Sequence, residues 1–156
     1  MRILRLGCLP LLFLLCSNGL IAQTPQSDRD ALEKTDIAIR AAFSAADVST
    51  AMRYHHPEVR KALTYNRLLI GLDAVAADLQ STFQQFHLDF VENQVESLLF
   101  EGDTAIEQTL FTIRGTPLHG GTPFLFKGRS MIVYIRYKES PTGWATIREI
   151  IQPATN

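Results

Sequence analysis

Two positions in this sequence carry side chains suited to moving protons. His55-His56-Pro57-Glu58 sets two imidazoles beside a carboxylate. A neutral histidine serves as general base or acid near neutral pH, and histidine with a carboxylate is a common catalytic pair. Glu149 interrupts the aliphatic run Ile147-Arg148-Glu149-Ile150-Ile151. On an apolar sheet face it is a carboxylate in poor solvent, a setting that suits acid–base work. Glu149 and His55 are therefore the candidate catalytic residues. Each also has a structural reading. His55 packs on a helix while His56 and Glu58 stay solvated, or Glu149 pairs with Arg129 or accepts a bond from Tyr65 or Gln108.

Candidate binding residues surround these two. Tyr54 and Tyr65 offer hydroxyl donors, and Arg129 suits either Glu149 or an anionic ligand group. Gln108, Met131 and Val133 fall in phase with Arg129 on one sheet face. No metal site is expected, because three converging ligands at a recognisable spacing are missing and His87 and His119 are far apart in the chain. No cofactor is assigned.

The elements that must position these residues follow from periodicity. Ser27 with Asp28 and Asp30 marks a helix start, and Leu32, Thr35, Ile39, Ala42, Phe43 and Ala46 form one helical stripe. A shorter helix carries Val48, Ala51, Met52 and His55 on one face, and Pro57 ends it. Residues 58–69 read as irregular, with a short extended piece over 63–66. After Gly71, the spacing of Leu72, Val75, Leu79, Phe83 and Phe86 predicts a third helix.

From His87 the period becomes that of strands: 91–100, 104–114, 125–137 and 144–152, with turns at Glu101-Gly102-Asp103 and over 139–143. Helices followed by a four-strand antiparallel meander predict an α+β fold, a curved sheet packed on three N-terminal helices around a pocket. Pairing Gln108 with Met131 and Val133 with Glu149 splits the sheet. One face carries Ile106, Gln108, Leu110, Thr112, Arg129, Met131, Val133, Ile135, Ile147, Glu149 and Ile151, mostly aliphatic, and is expected to line the cavity. The other carries Glu107, Thr109, Phe111, Ile113, Ser130, Ile132, Tyr134, Arg136, Trp144, Thr146, Arg148 and Ile150, and is expected to form a homodimer interface.

The 156 residues suit one domain with a real core. Residues 1–22 read as a cleaved signal peptide: Arg2 and Arg5, an apolar run to Ile21, and Ala22 before a polar stretch. Residues 23–27 read as a flexible tail, and 28–153 as the domain. The expected location is secreted or periplasmic, with membrane contact only through the leader. Cys8 and Cys16 lie in that leader, so the mature chain has no disulfide or thiol chemistry. Without Arg2 and Arg5, thirteen basic residues face sixteen acidic ones, which excludes a nucleic-acid footprint. The expected partner is a small apolar or amphipathic molecule.

The stretches AAFSAADVSTAM, IGLDAVAADL, EGDTAIEQ and GRSMIVYIRYKESPTGWATIREIIQP together resemble the SnoaL-like group of the nuclear transport factor 2 and ketosteroid isomerase superfamily. The resemblance spans residues 28–153. It implies a cone-shaped α+β barrel with a pocket at its open end. It does not imply one function, since members include isomerases, cyclases, dehydratases, binding modules and oligomerisation domains. The steroid isomerases' tyrosine, aspartate base and strand acid would fall on Ile39, on Leu63 or Thr64, and near Val133, so that mechanism does not carry over. Two functions are expected: a small-molecule-binding or structural pocket domain, or a lyase or isomerase using Glu149 or His55 as proton shuttle.

Overall fold

A computed structural model describes residues 25–154. The proposed leader, both cysteines and the Ala22-Gln23 junction lie outside the described residues. Helix α1 spans Pro25–Ser44. It starts at a proline, whose missing N–H costs nothing in a first turn, rather than at Ser27, so residues 25–27 are helical. Helix α2 is Val48–Met52, capped by Asp47, whose carboxylate accepts from the Thr50 N–H at 2.9 Å. Helix α3 is Leu72–Phe83, entered through Gly71 at φ +86°, a conformation that favours glycine.

Six strands complete the chain: β1 His55–Thr64, β2 Arg67–Ile70, β3 Phe86–Glu101, β4 Thr104–Pro117, β5 Phe124–Arg136 and β6 Trp144–Pro153. They form one sheet in the order β2-β1-β6-β5-β4-β3, antiparallel except for the parallel pair β1–β6. Two of these strands differ from the expectation of four. His55 opens β1 instead of ending α2, and the segment expected to be irregular is a hairpin turning at Tyr65-Asn66. Its sequence lacks clean alternation, and strand pairing with β6 supplies what local pattern does not.

Helix α1 is tied to the end of β5 by Arg136–Asp28 at 2.5 Å and to the β5–β6 turn by the Thr35 and Thr142 hydroxyls at 2.5 Å. Beneath it Leu32, Ala105, Tyr134 and Trp144 form one core cluster, and Ala42, Val59, Val75, Leu79 and Phe83 belong to another around α3.

The expected Gln108–Met131 pairing is present, but the two faces of β4 and β5 are exchanged. Glu107, Thr109, Phe111, Ile113, Ser130, Ile132 and Tyr134 turn toward the helices. The bulky rings fill the wide helix–sheet space, while the aliphatic row tolerates the outer surface. On β6 a bulge opposite Val133/Tyr134 leaves Ile147 as an extra residue. Thr146 before it and Glu149 after it therefore both face inward, and Glu149 pairs with Ile132 instead of Val133. The face on which a dimer was expected is thus turned toward the helices along β4 and β5, whereas Arg148 and Ile150 of that face are exposed.

Candidate functional site

Between helices and sheet lies a cavity of about 520 Å³. Aromatic rings form much of its wall: Phe43 meets Phe90 with centroids 5.8 Å apart, Phe111 meets Phe126 at 5.6 Å, and Phe86 meets Phe124 at 5.3 Å.

Three of the charged groups that line the cavity, Lys61, Glu149 and Glu107, fall on one cross-strand row with Ile132; Asp36, Arg40 and Asn93 line it elsewhere. Lys61 on β1 is the Cα partner of Glu149 on β6, Glu149 of Ile132 on β5, and Ile132 of Glu107 on β4. With strands spaced about 4.8 Å apart, the two glutamates start about 10 Å apart on either side of Ile132. All four side chains line the cavity.

The two carboxyls differ in environment. Glu149 Oε2 accepts from Lys61 Nζ at 2.7 Å. Glu107 is 4% exposed, and its Oε1 accepts from the Thr109 hydroxyl at 3.0 Å. No cation lies within ion-pair distance of Glu107 among the described residues, which leaves its other oxygen for the cavity. Burial raises its pKa, opposed by the Thr109 bond and the charge of Arg40. Arg40 itself is ion-paired to Asp36, which also accepts from Asn93 at 3.2 Å. Tyr134, two residues along β5 from Ile132, is 1% exposed. Its pKa is pushed well up by burial first, then by the charges of Glu107 and Glu149, so it stays a neutral donor.

His55 lies at the same end, 2% exposed. Its Nδ1 is 2.8 Å from the Ala51 carbonyl, which can only accept, so Nδ1 carries the proton and Nε2 the lone pair. Nε2 is buried without a partner. Burial, and then the Lys61 charge, holds the ring's pKa well below its ordinary value, the Ala51 bond opposing, and keeps it neutral.

Of the residues expected at the site, the structure brings Glu149 and His55 into the cavity. It does not bring the binding set there. Tyr65 is fully exposed at the β1–β2 turn, where a hairpin replaces the expected irregular segment. Tyr54 is half-buried just before β1 and is not part of the cavity wall. Gln108, Arg129, Met131 and Val133 lie on the outer face because of the exchange of phase described above. There Gln108 donates to Glu96 at 2.9 Å, and Arg129 holds Glu96 with two bonds at 2.7 and 2.9 Å. Arg129 therefore pairs with Glu96, not with Glu149.

Glu107, Lys61 and Tyr134 are among the polar cavity residues that the sequence reading missed as site residues. The signal available for Glu107 was its phase with the bulky Phe111 and Ile113, which share its strand face. Lys61 carried no local signal, since its placement depends on a parallel pairing across nearly ninety residues of chain.

No protein-family model matches the chain, and no curated protein matches it. Solved structures do. A candidate scytalone dehydratase from Novosphingobium aromaticivorans superposes with a TM-score of 0.75 at 10% identity, covering 83% of this chain and 86% of that one. A ketosteroid isomerase-like protein from Erwinia carotovora reaches 0.70 at 16% identity over 81% and 96% of the two chains. A nuclear transport factor 2-like superfamily protein from Salmonella enterica reaches 0.68 at 13% identity over 86% and 95%. The chain has the α+β cone fold of the nuclear transport factor 2-like and ketosteroid isomerase-like structures.

Proposed function

We propose that this chain is a small-molecule pocket protein of lyase or isomerase type, using its own side chains as acid and base. The ligand has an apolar, ring-sized body lying against the phenylalanine wall and an oxygen directed at the polar row. Glu107 donates a hydrogen bond to that oxygen, with the Tyr134 phenol beside it, and Glu149 accepts a proton from the adjacent carbon. The observation that carries this reading is the pair of carboxyls in contrasting environments on either side of Ile132. One is kept toward its protonated form by burial, and the other faces a cation. The apolar leader flanked by Arg2 and Arg5 supports export of the chain before it acts.

A binding role without turnover is the second reading. The Lys61–Glu149 bond favours it, since Lys61 Nζ already occupies one of the carboxylate oxygens that would take the carbon's proton.

Small aryl ketones separate the two. Catalysed incorporation of solvent deuterium at the carbon next to the ketone, followed by NMR and abolished in Glu149→Gln, supports proton transfer. Binding of the same ketones with no exchange above buffer leaves a binding protein.

A further inference from the structure

The roles proposed for Glu107 and Glu149 leave one reactive group of the cavity unused, the Lys61 amine. Of the four lysines in the chain, Lys34, Lys127 and Lys138 are exposed, whereas Lys61 is 8% exposed and lines the cavity beside Leu63 and Leu69. Its Nζ has a carboxylate oxygen at 2.7 Å. The charge it feels from His55 is nil, because that imidazole is neutral with its proton on Nδ1.

We infer that Lys61 is a carbonyl-capturing amine that forms an imine with an aldehyde or ketone borne on an apolar body. The inference rests on the cavity being a ligand site, as proposed above, and names the class of ligand. A lysine amine is nucleophilic only once deprotonated, and the Glu149 oxygen at 2.7 Å is the group placed to take its proton when a carbonyl arrives. An apolar ligand body seated against Leu63, Leu69 and the phenylalanine wall would displace water from the nitrogen, which favours the imine over its hydrolysis.

The step balances without an outside reagent. The Lys61 ammonium passes a proton to Glu149, and the freed nitrogen pair attacks the carbonyl carbon. The carbonyl π pair moves to oxygen, which takes up the proton released by nitrogen and gives a carbinolamine. Glu149 then returns its proton to that oxygen, water leaves, and the nitrogen pair closes the C=N bond. The net change is ammonium plus carbonyl to protonated imine plus water, with Glu149 again a carboxylate. Glu107, at the far end of the same row, is placed to hydrogen-bond a second oxygen on the ligand.

The test uses the whole chain with naphthaldehyde and sodium cyanoborohydride, which fixes a protonated imine as a secondary amine. Intact mass and peptide mapping should show one adduct, on Lys61, formed at least about tenfold faster than on any exposed lysine, as expected for a reactant held in place. Lys61→Arg, which keeps a cation against Glu149, should lose that adduct, and the unreactive naphthylmethanol should protect against it. Binding of naphthylmethanol in a thermal-shift assay with no preference for Lys61 overturns the imine proposal and leaves the cavity reading standing. No binding of either compound, with labelling confined to exposed lysines, overturns both. If Lys61→Arg fails to fold, the wild-type adduct map and the protection by naphthylmethanol still decide.

Discussion

Glu107 and Glu149 are the two cross-strand partners of a single residue, Ile132, on the inward face of the sheet. The antiparallel register of β4–β5 and the bulge on β6 together produce this arrangement. Without the bulge, inward-facing Thr146 would leave Glu149 pointing out. Ile132 is thus the floor between a proposed acid and a proposed base, and a molecule that reaches both carboxyls must lie over it.

Enlarging that floor should block the site while sparing the fold. Ile132 lines the cavity and also packs against the Leu32–Tyr134–Trp144 cluster, so Ile132→Phe should cost within the roughly 1–3 kcal/mol typical of overpacking. Turnover or ligand affinity should fall at least about tenfold, or about 1.4 kcal/mol. Denaturant melts with aryl-ketone binding measure both.

Breaking the ion pair should be costly. Lys61 and Glu149 side chains are only 11% and 13% exposed, so Glu149→Gln strands an ammonium in poor solvent. A loss of about 3 kcal/mol is expected. The double variant Lys61→Met/Glu149→Leu should recover most of it. Urea unfolding of Lys61→Met, Glu149→Leu and the double variant completes the cycle, and additive losses would show that the two groups are not coupled.

Glu107 should behave oppositely. Its folded pKa is raised, so it adds stability below the ordinary unfolded value of about 4.3 and forfeits it as pH rises through the folded value. Glu107→Gln removes that penalty and should stabilise the protein near neutral pH by about 1 kcal/mol while impairing function. Thermal melts at several pH values check the sign.

His55 gives an acid-side signature. Its folded pKa lies below the unfolded value, so the folded chain binds fewer protons and loses stability as pH falls below about 6.5. His55→Gln should flatten the stability profile between about pH 7 and pH 5.5. An unchanged slope in urea titrations would contradict the burial of this ring.

How much of this was legible in the sequence depends on range. Helices α1 and α3 and strands β3 to β6 follow from local periodicity, and the 108–131 register follows from the spacing of turns. The faces did not follow. The aliphatic row Ile106, Leu110, Met131 and Val133 looks more like a cavity lining than a row holding Glu107, Thr109 and Ser130. Only the size of the phenylalanine rings that the helices must cover decides against it. Glu149 was correctly expected inside although its expected partner, Val133, was off by one, because the bulge at Ile147 corrected one error of phase with another. Lys61 was invisible because a parallel β1–β6 pairing leaves no local mark. The pairing of Arg129 with Glu96 depends on β3, whose phase the sequence reading did not assign.

The most direct measurement is a carboxyl NMR titration of glutamate-labelled protein, with Glu107 assigned by its absence from Glu107→Gln. A Glu107 midpoint above the ordinary carboxyl value of about 4.3, displaced when an aryl ketone is added, is the predicted result. A midpoint at or below that value, with no response to ligand, would contradict Glu107 as the hydrogen-bond donor of this cavity and with it the proposed chemistry.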